Sequence, residues 1–367
     1  MTEPIRILHM IGSLNIGGSQ SMVINLHKAI DKSKVQFDYV VDHPNHLYFA
    51  DIVKNLGGKI YTMPTFKGFN YFEVRSAWNI FFKQHPEYKI LHSHVRSYAS
   101  LYLPIAKRAG LKTIVHSHNT SNGKGVTSIA KHILQYPLRY LSDYYFACSK
   151  KAGVWLFGEK KVECDRFHIL PNAVDVRNFA YSDERRNEIR NELNLGNKIV
   201  YGNIGRLTKQ KNQDFLIDVF SGVYKKNNNS TLLIVGSGEL EYSLKEKVTA
   251  LGLKESVVFT GARADVAALL SAIDVFVFPS LWEGLPVTVI EAQAAGLPCF
   301  VSSEITDEVG LSDLVHYLPI NQGPQLWIDA LYGKKFCRKE VAQEIKNAGY
   351  DIQYTIQFLM DFYKNIL

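Results

Sequence analysis

Cysteine is scarce and offers no local pairing. Cys148, Cys164, Cys299 and Cys337 are scattered over 367 residues without a CxxC. That spacing points away from a disulfide frame or a thiolate metal site and predicts reduced thiols in a cytoplasmic protein. Long hydrophobic runs are missing too: nothing approaches the ~18–20 uninterrupted apolar residues of a spanning helix. The apolar start "IRILHMIGSLNIGG" is broken by Arg6 and His9 and enters a glycine turn, so it does not read as a secretory signal. A dinucleotide fingerprint is absent as well. Gly12 and Gly17 are wrongly spaced for GxGxxG, "VGSGEL" at 235–240 lacks the third glycine, and no acidic residue closes the next strand. This weighs against a nicotinamide enzyme.

What is present is a long, basic, strongly patterned chain. Its length favours two cores over one. The formal charge of +7 is unevenly placed. Residues 1–180 carry 23 Lys and Arg against 12 Asp and Glu, and eleven of the twelve histidines, whereas the remainder is mildly acidic. A basic half suits a nucleic acid, an anionic membrane or phosphorylated substrates, but no recognised nucleic-acid motif accompanies it.

Both halves repeat one rhythm. "IRILHMI", "FDYVV", "KIYTM", "KILHSH" and "KTIVHSH" alternate with helical patterns, including a long one at 71–84. After a Pro/Asn segment at 170–179 and the charged helix "DERRNEIRNEL", the rhythm restarts with "KIVYGNIG", "STLLIVG", "VVFTG", "VFVFPS" and "PCFVS". Continuous apolar strands of about five residues between helices predict parallel βαβ winding with both sheet faces covered. The expectation is therefore α/β: two doubly wound domains, with ligands at the carboxyl ends of the strands.

Three motifs follow strands. Gly17-Gly18-Ser19 either forms a tight turn or lets backbone amides approach a phosphate at a helix N-terminus. "GRLTKQKN" (205–212) brings Arg206 and Lys211 together as a fork and a point charge for a diphosphate, or as a solvated basic turn. "SLWEGLPVTVIEAQAAG" (280–296) sets Glu283 before a helix and Glu291 within it, with Pro286 at the first helical position and the Gly284 and Leu285 amides free. Eight positions apart across a helix start, the two carboxylates are not an acid/base couple; they are spaced to grip two parts of one ligand, unless they are ordinary surface glutamates.

In combination, "GRLTKQKN", "PSLWEGLPVTVIEAQAAGLP", the GG loop, "LPNAVD", "LLIVGSGEL" and "VVFTGARADV" resemble retaining GT-B glycosyltransferases of family 4 (glycosyl transferases group 1), nearest in pattern to bacterial capsular and exopolysaccharide transferases. The resemblance implies two Rossmann-like domains facing a central cleft. Residues 1–172 would bind the acceptor, 173–350 the nucleotide sugar, and 351–367 would form a helix returning to the first domain. It also implies that Arg206 and Lys211 hold the donor diphosphate and stabilise the departing nucleotide, that Glu291 accepts from the ribose hydroxyls, and that Glu283 with the Gly284 and Leu285 amides holds the sugar. Arg263 would lie by the base, Gly17 and Gly18 by the diphosphate or acceptor, and His118, with His116 competing, by the reacting sugar. Gln20 replaces the usual acidic residue after the GG loop, and Asn212 a commoner glycine.

The implied reaction moves a hexose from a nucleotide-diphosphate sugar, UDP being favoured with GDP left open, to a glycan or lipid-linked acceptor. It would proceed with retention and without cofactor or metal ion. A nucleotide-sugar epimerase and a non-catalytic binding protein of the same fold are the alternatives. The stretches 66–84 and 128–146 interleave aromatics with Lys67, Arg75, Lys83, Lys131 and Arg139. They predict either a peripheral contact with the inner face of an anionic plasma membrane or core aromatics such as Phe72, Trp78, Phe81 and Phe82 with solvated charges.

Overall fold

The apolar runs become parallel strands, and the helical patterns between them become their covers. The computed structural model describes residues 3–15, 17–43, 47–118 and 126–367, with the backbone alone at 126–130. Two compact units emerge, one made of 1–173 with 352–367 and the other of 174–351.

The first unit holds seven strands: β1 (Ile5–Gly12), β2 (Val35–Val41), β3 (Ile60–Thr62), β4 (Ile90–Ser93), β5 (Lys112–Ser117), β6 (Tyr144–Ala147) and β7 (Phe167–Ile169). They pair in the order β3-β2-β1-β4-β5-β6-β7. The second unit holds β8 (Ile199–Ile204), β9 (Ser230–Val235), β10 (Val257–Phe259), β11 (Val275–Phe278), β12 (Cys299–Ser302) and β13 (Val315–Leu318), ordered β10-β9-β8-β11-β12-β13. In both sheets the order reverses beside the first strand, the doubly wound arrangement that leaves a ligand crevice at the strand ends. Both are Rossmann-like, and the architecture is that of the GT-B class.

Alternation decides which face each residue meets. In β1, Ile7 and Ile11 point to one core with Phe37, Ile90, Ile114 and Phe146, while Leu8 and Met10 point to the other, with Trp78, Tyr102 and Leu103. The helices Gly18–Ala29 and Ile352–Asn365 cover the first face. The C-terminal helix thus belongs to the N-terminal unit, placing Ile356, Leu359 and Tyr363 in its core.

Two sequence expectations need correction. The helix at 71–84 forms as Tyr71–Gln84 and buries Val74, Trp78, Phe81 and Phe82, but Phe72 is 82% exposed and is no core residue. Position 72 falls on the opposite face at 3.6 residues per turn. Pro286 is not the first helical residue: its ψ of 93° keeps it extended as the N-cap, and the helix runs Val287–Ala294. The strands β6, β7 and β13 carry no strong period-2 or continuous apolar signal and escape a reading based on pattern. β6 lies inside the basic-aromatic stretch at 128–146 and buries Tyr145 and Phe146.

Candidate functional site

In the second unit the two basic and acidic motifs are stitched into one structure. After β8 the chain turns through Gly205-Arg206-Leu207, held by the Gly205 amide donating to the Val235 carbonyl (2.9 Å) and the Leu207 amide to Ser237 (3.0 Å). The glycines of "VGSGEL" make this approach possible. A Cβ on Gly236 would lie 2.0 Å from the Gly205 carbonyl oxygen, and one on Gly238 2.3 Å from that of Leu207. These glycines therefore serve the Arg206 turn from a neighbouring strand.

The short 3-10 turn Lys209–Lys211 then crosses to the loop after β11. The Leu281 amide donates to the Gln210 carbonyl (2.8 Å), Gln210 Nε2 to the Trp282 carbonyl (2.8 Å), and Asn212 Nδ2 to that of Pro279 (3.1 Å). Asn212 sits at φ 56° and ψ 39°, a left-handed conformation that asparagine and glycine tolerate best. That is why either residue serves there. Lys211 Nζ bonds Glu283 Oε1 at 2.7 Å and lies 4.6 Å from the Phe278 ring centre. With side chains 15% and 10% exposed, this pair is largely desolvated.

The sequence groups Lys211 with Arg206 and Glu283 with Glu291. The structure pairs Lys211 with Glu283 across seventy-two positions, a contact no local pattern reveals. Arg206 is exposed, and its guanidinium has no partner among the described residues. Glu291, partly buried on the helix Val287–Ala294, also has no side-chain partner among the described residues, and burial pushes its carboxyl up to about 7. The Gly284 and Leu285 amides donate to no backbone carbonyl among the described residues. Arg263 differs: it binds Asp265 through Nε and Nη2 and Glu192 through Nη1. Its side chain is consumed by carboxylates, leaving only its backbone for a ligand.

In the first unit, Gly17 is the extended N-cap of the helix Gly18–Ala29, without a side-chain cap. Neither glycine has a positive φ, and a Cβ on Gly18 meets nothing within 4 Å. Internal packing does not demand glycine at Gly18.

His118 follows β5 directly and leads into a cluster that sequence reading had not assembled. Its Nε2 lies 2.8 Å from His94 Nδ1, and His94 Nε2 lies 3.0 Å from His9 Nδ1. His116 stacks on His118 at 4.1 Å between ring centres, and His92 Nδ1 lies 2.8 Å from the Tyr363 hydroxyl. The signal was available. Two H-x-H spacings, "HSH" in β4 and again in β5, put four imidazoles on one face of adjacent strands, and His9 is in register with His92.

Burial holds the imidazoles of His9, His92, His94, His116 and His118 well below their ordinary pKa, that of His94 to about 3. His116 is fully buried with neither ring nitrogen partnered, whereas His118 keeps some exposure. Among the described residues, His9/His92/His94 and His94/His116/His118 are the sets whose ligand atoms, within 4.8 Å of one another, could hold a metal ion.

Comparison with known proteins bears on the family and the fold. The model for glycosyl transferases group 1 matches residues 185–307, and that for Glycosyltransferase Family 4 matches 16–178. EpsF of Bacillus subtilis, named as a glycosyltransferase, is 30% identical over 370 residues, 98% of this chain and 96% of that one. The UDP-Gal:alpha-D-GlcNAc-diphosphoundecaprenol alpha-1,3-galactosyltransferase of Escherichia coli is 32% identical over 229 residues, 59% of this chain and 58% of its own. The crystal structure of Anabaena Alr3699/HepE in complex with UDP superposes with a TM-score of 0.76 at 17% identity, covering 98% of this chain and all of that one. The chain is a GT-B hexosyltransferase and belongs to glycosyltransferase family 4.

Proposed function

We propose that this enzyme transfers a hexose from a UDP-sugar to a lipid-linked diphosphate acceptor in exopolysaccharide assembly, with retention of configuration and without a metal ion. The observation that carries the reading is the arrangement in the second unit: an unpaired Arg206, a Lys211 held in place by Glu283, open amides at Gly284 and Leu285, and an unpartnered Glu291. Its charges suit the diphosphate of a nucleotide sugar, with Glu291 accepting from the ribose. Arg206 and Lys211 would stabilise the charge that grows on the departing nucleotide, where fixed cations are most effective. The leaving phosphate then takes the acceptor proton as the new bond forms on the same face of the sugar. The E. coli relative, whose name specifies UDP-galactose and a diphosphoundecaprenol acceptor, supports both substrate classes. EpsF supports the exopolysaccharide setting.

The direct test incubates the purified enzyme with UDP-hexoses and a synthetic polyprenyl-diphosphate sugar, before and after chelation. Transfer that survives the chelator and gives the donor's anomer is expected. Loss of activity on chelation, restored by Zn²⁺, would assign the histidines to a metal instead. An inverted product would reject the same-face mechanism.

Glu291 supplies a second test. With its carboxyl near 7 and the ionised form accepting from the ribose, UDP affinity should rise about tenfold between roughly pH 6 and pH 8. Glu291→Gln should bind weakly and lose that dependence. Calorimetric titration showing the same slope in both proteins would remove the ribose role.

We also propose a peripheral membrane contact. Among the described residues no helix is long and apolar enough to cross a membrane. Yet Phe69 and Phe72 are more than four-fifths exposed and Ile80 about half, with Lys67 and Lys83 exposed nearby. An aromatic and basic surface of this kind suits an anionic leaflet. Binding to anionic vesicles should be lost near ~0.5 M salt, where charges are strongly screened, and weakened by Phe72→Ser. Co-sedimentation indifferent to both changes would overturn the contact.

A further inference from the structure

Arg96 is a half-buried cation with no anion beside it among the described residues. It lies on the loop between β4 and the helix Ala99–Arg108, at the carboxyl edge of the first unit's sheet. Its guanidinium carbon sits 5.2 Å from the Trp155 ring centre. Nη1 is sealed from solvent and has no hydrogen-bond partner, and no carboxylate lies within ion-pair distance among the described residues. Burial lowers its pKa, and its charge in turn disfavours protonation of His116 and His118.

A guanidinium partly withdrawn from water without a counter-charge is costly, whereas the other deeply set arginines, Arg190 and Arg338, have partners. Arg190 has Asp274 and several carbonyls, and Arg338 is wrapped by four carbonyls. The same charge weighs against a cation beside His116 and His118. Held over the Trp155 ring, the guanidinium offers a planar fork of donors, the group that receives a phosphate oxyanion bidentately. Val95, its neighbour, packs by Gly12 at the end of β1, so the fork stands at the strand ends where doubly wound sheets take ligands.

We propose that Arg96 is a phosphate-binding residue for the acceptor, receiving an oxyanion of the diphosphate that joins its glycan to lipid. The proposal rests on the lipid-diphosphate reading above, but its anion site can be tested without the lipid. UDP is added to saturation to fill the Lys211 site, and inorganic pyrophosphate is then titrated while the thermal midpoint and heat are followed. The wild type should bind pyrophosphate and gain thermal stability from it. Arg96→Gln should bind it at least tenfold more weakly while keeping its UDP affinity, and Arg96→Lys should be intermediate.

Without pyrophosphate, Arg96→Leu should melt no lower than the wild type, because removing an unpaired buried charge relieves a cost. A large destabilisation would mark the residue as structural and sink the proposal. No pyrophosphate response in the wild type, or an unchanged one in Arg96→Gln, would overturn it. A tenfold loss of UDP affinity in Arg96→Gln would reassign the fork to the donor. If pyrophosphate binding depends on Arg96 but no lipid diphosphate is glycosylated, the anion site stands and the lipid reading fails.

Discussion

Lowering the pH from about 7 to about 5.5 should destabilise the N-terminal unit, by about 1 kcal/mol through His94 alone at 1.36 kcal/mol per pKa unit, with four further buried histidines acting in the same direction. His9, His92, His94, His116 and His118 are packed against one another, and burial lowers the pKa of each, with His94 at about 3. A free imidazole titrates near ~6.5. Above that value neither the folded nor the unfolded chain takes up a proton, and the cluster carries no penalty. Below it the unfolded chain gains protons that the folded cluster refuses, so stability falls steadily as the pH drops toward the folded values. The direction is opposite to that of a histidine held by a carboxylate. No Asp or Glu bonds any of the five among the described residues.

Losses of this kind count against a net stability of only ~5–15 kcal/mol for a typical domain. Hydrogen exchange in β4 and β5 should therefore accelerate sharply at about pH 5.5, before that in β8 and β11. Equal protection of the two sheets at both pH values would refute the account. Replacing His94 with Gln should remove close to one proton from the slope.

The second large effect belongs to Lys211. Replacing it with Ala should lower kcat by roughly 10²–10³, the usual loss when one fixed donor to a developing anion is removed. It should also lower stability, because Glu283 would be left ionised at 10% exposure without its partner. Breaking a buried pair in this way costs ~3–5 kcal/mol, and the partial exposure of Lys211 puts the value toward the low end. The two losses can be separated. Lys211→Met combined with Glu283→Gln removes both charges and should recover most of the melting temperature while kcat stays low. Recovery of both would show that Lys211 acts only through folding. Recovery of neither would mean that the pair is not the source of the stability loss.

Most strands legible in the sequence lie inside a sheet, where both faces are covered and the apolar run is continuous, though β3 and β10 are legible at sheet edges. β7 and β13 lie at sheet edges and read as mixed segments, and β6 follows a surface-like aromatic stretch. The donor motifs could be placed on loops after strands because glycine and proline punctuate them. Their mutual bonding could not, since the Lys211–Glu283 pair depends on β8 and β11 lying side by side. Arg263 shows the converse limit: its motif position is plain, but Glu192 and Asp265 decide what its side chain is free to do.

The last helix has a bearing on how the protein is made. Residues 352–367 cover Ile7, Ile11 and Phe37, and Tyr363 meets His92 in the sheet's own face. On the ribosome that face is translated well before its cover, with the whole 174–351 unit emerging in between. The later unit is contiguous in sequence and has all its parts at hand, whereas the first must wait for a segment translated after its neighbour.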